Sequence, residues 1–166
     1  TMKPERLREL LDYDPASGRI LNKKTKRLLQ PDHDGLVIIF DSATKRSVKM
    51  KLDRIAYTMA FGSLPKEDKR VLHKNLNTED NRLCNLSLTS RLLFLQIKEA
   101  HRNLTDGIRM VAHATDQFCY IVHWFEDGSE KTRIFQDVVP ARAELLKLQL
   151  RYSKVLTKYC VFDDLT

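Results

Sequence analysis

Val71-Leu-His-Lys-Asn-Leu-Asn-Thr-Glu-Asp-Asn-Arg-Leu-Cys-Asn-Leu86 is the stretch that decides how this chain folds. An apolar pair runs into His73, and the next dozen residues are rich in Asn and Asp. Such residues cap turns and tolerate left-handed backbone, so a structured loop is expected here. An imidazole titrates near neutrality and can make a water basic enough to attack a phosphodiester. Taken alone, the stretch also suits an ordinary Asn-rich turn beside a structural histidine.

Outward from this loop the patterns are regular. Downstream, Arg91 to Ala100 reads as a helix. Upstream, Asp53 to Gly62 predicts a helix capped by Asp53 and closed by Gly62. Before it, Leu36–Phe40 and Ser47–Leu52 are strand-like, the second clearly alternating. Pro4 to Asp12 predicts a short helix with Leu7, Leu10 and Leu11 as its apolar stripe. Tyr13-Asp-Pro-Ala-Ser-Gly18 is a turn leading into a basic hairpin loop.

After Asp106 the chain changes character. Residues 107–112, 118–128 and 130–135 predict three strands, with Asp127-Gly128 as the turn between the last two. Residues 140–152 predict an amphipathic helix with Pro140 at its start. Trp124 and Phe125 are adjacent, so one is expected to face the core and the other the opposite surface. The tail from Val155, acidic at Asp163 and Asp164, is expected to be a lightly ordered extension.

The central stretch resembles the core of phage-type HNH endonucleases, which reads [V/I]-D-H-x-N-G-[N/D]-x-x-D-N-R-[I/L]-x-N-L. His73, Asn75, Asp80, Asn81, Arg82, Asn85 and Leu86 agree in register. The helix before it resembles the family's H-R-L-A-W and G-x-x-P elements at Arg54, Ile55, Ala56, Tyr57, Gly62 and Pro65. The opening L-x-Y-D-P-x-x-G is also similar to the start of such proteins. The resemblance implies a ββα-metal core in which His73 is the general base and Asn85 pins the loop that carries it.

The same resemblance exposes three departures. Leu72 stands where the family has a metal-binding Asp, Phe94 falls where it has a metal-binding Asn or His, and Asp53 replaces a His. Leu and Phe offer no lone pair to a cation, whereas hard divalent ions want oxygen and imidazole donors. Asp53 and Asp80 are the candidate substitute ligands, and Asp53 is also explained as a helix cap. Gln96 and Glu99 lie on the following helix but off the family position. If the chain cuts, Mg2+ or Mn2+ is the implied cofactor; if it does not, none is implied.

Composition bounds the alternatives. The 166 residues carry a formal net charge of +7, with 42% hydrophobic and 31% charged residues, which suits a globular chain with a polyanionic partner. The cations cluster at Lys23, Lys24, Lys26 and Arg27, and again at Lys45, Arg46, Lys49 and Lys51, as counterion release from phosphates would reward. No apolar run approaches the roughly 18–20 residues of a membrane span, and Thr1-Met-Lys-Pro lacks the apolar region of a signal peptide. Three widely spaced cysteines without a C-x-x-C pair argue for reduced thiols and against a zinc finger. There is no phosphate-binding Gly loop and no supported Ser-His-Asp or Cys-His arrangement.

The expectation is therefore an α+β chain with two parts. Residues 1–104 form an HNH-like nuclease domain with a small N-terminal β-sheet and its core at 53–100. Residues 105–166 form a three-stranded sheet plus helix, similar in outline to an AP2-like DNA-binding module, or else an interaction module. Arg109, Lys131 and Arg133 are its candidate DNA contacts, joined by Lys23, Lys24, Lys26, Arg27, Lys49 and Lys51 from the first part. The first expectation is a phage-encoded protein that binds double-stranded DNA in the host cytoplasm, impaired in metal-dependent cleavage. The alternative is a pseudo-nuclease that binds and inhibits or regulates a host protein, with Leu72 and Phe94 filling the vacated metal site.

Overall fold

A computed structural model describes residues 1–114 and 118–162 of the chain. It divides into two compact units, Thr1–Arg91 together with the segment from Val161 onward, and Leu92–Cys160. The acidic tail residues Asp163 and Asp164 lie outside the described residues. The fold is α+β, with small antiparallel sheets and four α-helices among the described residues.

Among its described residues the first unit has three two-stranded antiparallel ribbons and two α-helices. Helix α1 (Pro4–Leu10) leads into β1 (Leu11–Tyr13), which pairs with β2 (Ile20–Asn22). The predicted helix ran two residues further. Leu11 is instead extended, because pairing Leu11 with Asn22 and Tyr13 with Ile20 closes the turn at 14–18. Strands β3 (Leu36–Asp41) and β4 (Arg46–Lys51) form the second ribbon. Their alternation puts Val37, Ile39 and Met50 inward and Ile38, Phe40, Lys49 and Lys51 outward.

Helix α2 (Leu52–Phe61) follows directly. Its N-cap is Lys51, not Asp53, so the cap lies two residues before the expected Asp. Asp53 lies in the first turn, where a carboxylate favours the helix dipole, and its Oδ1 accepts the Arg54 N–H at 2.6 Å. Gly62 closes the helix with φ 74°. Leu7, Leu11, Ile20, Ile39, Ile55 and Val71 meet in one core. Arg6 crosses to this core and holds the buried Asp41 bidentately, Nε to Oδ2 at 3.1 Å and Nη2 to Oδ1 at 2.5 Å, pressing its carboxyl far below the ordinary range. The third ribbon, β5 (Lys69–His73) with β6 (Leu86–Ser90), carries the loop quoted above.

The second unit is built on a sheet of order β7 (Arg109–Ala114), β8 (Phe118–Glu126), β9 (Ser129–Phe135). Asp127 and Gly128, both at positive φ, make the tight turn between β8 and β9. Helix α3 (Arg91–Arg102) precedes the sheet and ends in a π turn, Asn103–Gly107. The Asn103 amide bonds both the N–H and the C=O of Phe125 at 2.8 Å, completing the strand edge where β7 gives no partner. Helix α4 (Val138–Tyr159) is capped by Asp137, which accepts the Val139 N–H. It starts two residues before the predicted helix and ends seven after it. Pro140 falls in the first turn, where its missing N–H costs nothing, and the apolar spacing continues through Leu156. Residues 155–159, read from sequence as part of a loose tail, are therefore helical. Trp124 is the inward member of the aromatic pair, and the half-buried Phe125 carries the Arg102 guanidinium 3.4 Å above its ring.

Candidate active site and nucleic-acid interface

The loop between β5 and β6 is held by its own carboxamides. Pairing of His73 with Leu86 starts it, and Lys74 N–H donates to the Asn85 carbonyl at 2.8 Å. Asn85 is fully buried and is its hub. Its Oδ1 accepts the Asn75 N–H at 2.9 Å, and its Nδ2 donates to Asn75 Oδ1 and to the Asp80 carbonyl, both at 2.8 Å. Every bond this amide makes is local to the loop.

Asp80 is fixed as tightly. Arg82 grips it bidentately, Nε to Oδ1 at 2.9 Å and Nη2 to Oδ2 at 2.7 Å, while Asn75 Nδ2 donates to Oδ2 at 2.9 Å. The guanidinium lowers the Asp80 pKa to about 2. His73 is only 6% exposed, and its Nε2 lies 3.0 Å from Oδ1 of the buried Asn81. An amide oxygen only accepts, so across this contact Nε2 is the donor.

A turn far away in sequence clamps this loop. Tyr13 Oη donates to the Asn81 carbonyl at 2.8 Å, and Leu83 N–H donates to the Pro15 carbonyl at 3.0 Å. Burial raises the Tyr13 phenol to about 12. Gly18, at φ +76°, lies so close that a Cβ there would meet Arg82 N and Asn81 C at 2.5 Å. Asn81 and Tyr13 fall within recognisable sequence patterns, but those patterns imply no role for either. The signal was present: the Tyr13–Gly18 turn and the Asp80–Arg82 triplet are its two surfaces.

Residues 51–92 match the HNH endonuclease family model. The match spans α2, the β5–β6 ribbon and the carboxamide loop that carries His73 and Asn85. Among solved structures, the chain resembles one titled "DNA binding and cleavage by the HNH homing endonuclease I-HmuI", with 16% identity, 81% of this chain and 76% of that chain covered, and a TM-score of 0.43. The search of curated proteins finds no match.

HNH nucleases typically use a divalent cation, and the donor set of this HNH-type segment does not fit one. Leu72, buried and paired with Ser87, has no lone pair to give. Phe94 is half-buried under the Lys98 ammonium, 5.6 Å from its ring centre. Both Asp80 oxygens are engaged by Arg82 and Asn75, and Asp53 Oδ1 holds a backbone N–H. Gln96 is exposed, and Glu99 faces the Gly128 N–H at 3.3 Å. Among the described residues no group of three or more His, Cys, Asp or Glu comes together as a cation cage.

The candidate DNA-contacting cations fall into separate groups. Lys23, Lys24, Lys26 and Arg27 line an exposed turn after β2, with Lys23 and Lys26 at 3.7 and 3.9 Å from Asp12. Lys49 and Lys51 project from the outer face of β4, Lys49 lying 3.4 Å from Asp32. In the second unit the three candidates do not share a face. Lys131 pairs with Trp124 and Arg133 with Val122, on the side covered by α4. Arg109 pairs with His123 on the other side and is bound to Glu130 at 2.6 Å. Arg133 is tied to Glu144 of α4 at 2.9 Å.

Proposed function

We propose that this chain is a phage-encoded, HNH-type protein that binds double-stranded DNA and is impaired in metal-dependent phosphodiester cleavage. The observation that carries this reading is the HNH-type loop itself, in which every pinning carboxamide is retained and the cation donors are replaced or engaged. His73 is the residue suited to general-base work; Asn81 bonds its ring, and Asn85 pins the loop that follows it. The other half of hydrolysis needs a charge to stabilise the departing 3′ oxygen, and the described residues supply no donor set for one.

The exposed cations of the first unit provide the DNA contact in this reading. Lys24, Arg27 and Lys51 have no ion-pair partner among the described residues, and each can neutralise a phosphate. The second unit is read with it as an AP2-like module that adds Arg109 on the sheet face turned away from α4. The phage origin and a setting in the host cytoplasm rest on the resemblance of the sequence to phage HNH proteins.

Fluorescence anisotropy with a short DNA duplex across a salt series tests the reading. Binding should weaken steeply as salt rises, and the paired charge reversals Lys24→Glu with Arg27→Glu, or Lys49→Glu with Lys51→Glu, should each reduce both affinity and salt slope. Affinity indifferent to salt and to these changes would contradict it.

A further inference from the structure

Helix α4 has two apolar stripes, and only one is used. Ala141, Leu148, Tyr152 and Leu156 are buried within the second unit. Val139, Ala143, Leu146 and Leu150 recur at spacings of four, three and four on the opposite side. That is the seam of a helix that expects another helix. Val139 is 70%, Leu146 63% and Leu150 58% exposed. Isolated exposed leucines need no explanation, but a row at heptad spacing is a surface built to be covered.

The surroundings say what covers it. Along one flank of the stripe lies a groove of about 440 Å³ between α4 and the sheet, lined by Trp124, Arg133, Lys147, Leu150, Arg151 and Lys154, with Glu126 and Glu144. Both acids are already spent, Glu144 on Arg133 at 2.9 Å and Glu126 on Arg151 at 2.7 Å. Lys147 and Lys154 are left without an ion-pair partner among the described residues. Trp124 forms part of the groove wall, and its indole N–H is buried without an acceptor among the described residues. Arg142 stands on the other flank of the stripe, so it too is bordered by positive charge.

We propose that the outer face of α4 and its adjoining groove form a docking site for an acidic amphipathic helix of a partner protein. Leucine-type side chains of the partner cover Val139, Leu146 and Leu150, and its carboxylates meet Lys147 and Lys154. A second copy of this chain is a poor occupant, because two such faces would bring Arg142, Lys147 and Lys154 against their own like charges. DNA is also a poor occupant. It would satisfy the lysines while leaving the apolar row against a polyanion. The inference stands independently of cleavage.

The chain has a single tryptophan, so Trp124 emission reports on the groove directly. The probe is a synthetic peptide of Leu-Glu-Glu-Leu-Glu-Gln-Glu heptads, compared with its twin in which Lys replaces Glu. The acidic peptide should bind the full chain saturably and shift Trp124 emission, and the basic twin should not. Leu150→Glu alone, and Lys147→Glu with Lys154→Glu, should each weaken binding about tenfold or more while the far-UV spectrum is unchanged. Equal binding of both peptides, no binding of the acidic one, or full affinity in the variants overturns the proposal. So does competition by a DNA duplex that is lost in the lysine variant, which would make this a DNA surface. Self-association abolished by Leu150→Glu would make it a dimer face and overturn it equally.

Discussion

The Nε2 of His73 and the Oδ1 of Asn81 lie 3.0 Å apart, and both side chains are buried. The contact ties the imidazole to the same residue whose carbonyl accepts from Tyr13. Asn81→Ala should leave a buried donor unsatisfied and cost about 1–3 kcal/mol of stability. Urea unfolding measures the loss, and nitrogen NMR of His73 reads the tautomer. Wild-type stability in the variant would show that Nε2 has no need of Asn81.

Gly18 and Gly35 separate backbone strain from close approach. Both adopt φ near +75°, but a Cβ at Gly18 meets the Asn81–Arg82 peptide whereas at Gly35 it meets nothing within 4 Å. Gly35→Ala should cost about 1–2 kcal/mol from the left-handed conformation alone. Gly18→Ala should cost well over that, since backbone atoms must move apart. Equal thermal shifts for the two variants would contradict the clamp between the Tyr13–Gly18 turn and the His73 loop.

Acid stability follows from Asp80. Its pKa is lowered from 3.8 to about 2 in the folded protein, so the unfolded chain takes up its proton first as pH falls. The stabilisation is fully present above about pH 4 and is lost progressively toward pH 2. Asp41, Asp32 and Asp14 are lowered as well, so the wild-type acid limb should be steep. Asp80→Asn should be less stable at neutral pH and show a flatter acid limb in denaturation series. An acid limb of unchanged slope would deny Asp80 its role.

Alkaline stability works in the opposite sense. The Tyr13 phenol is raised from 10 to about 12, so its buried hydroxyl contributes below pH 10 and that contribution fades between pH 10 and 12. Tyr13→Phe should lose about 1 kcal/mol near neutrality and flatten the alkaline limb. Some slope should remain, because burial raises Tyr152 too. A limb as steep as that of the wild type would place its origin elsewhere.

Much of the local structure was legible because it follows from short-range rules. Alternation at Val48, Lys49 and Met50 marks β4, Gly62 ends α2, and Asp127-Gly128 turns β8 into β9. What escaped was decided by distant partners. Leu11 leaves helix α1 because Asn22 pairs with it, and Gly18 matters because Asn81 lies against it. Arg109, Lys131 and Arg133 looked like one basic set, yet cross-strand register sends the first to one face and the others to the opposite one. The capture of Asp80 by Arg82 sits within one triplet and was the part of the site nearest to being read. The motif named both residues without saying that they bind each other.

A paired measurement separates DNA binding from metal-dependent cleavage. Supercoiled plasmid is incubated with the protein and Mg2+ or Mn2+, beside His73→Ala and an EDTA control, while mobility shift follows binding to the same DNA. Both proteins should bind DNA in a salt-sensitive way, with no metal-dependent nicking above the EDTA control. Robust nicking that needs the metal and disappears in His73→Ala, with binding retained, would contradict the proposed impairment of cleavage.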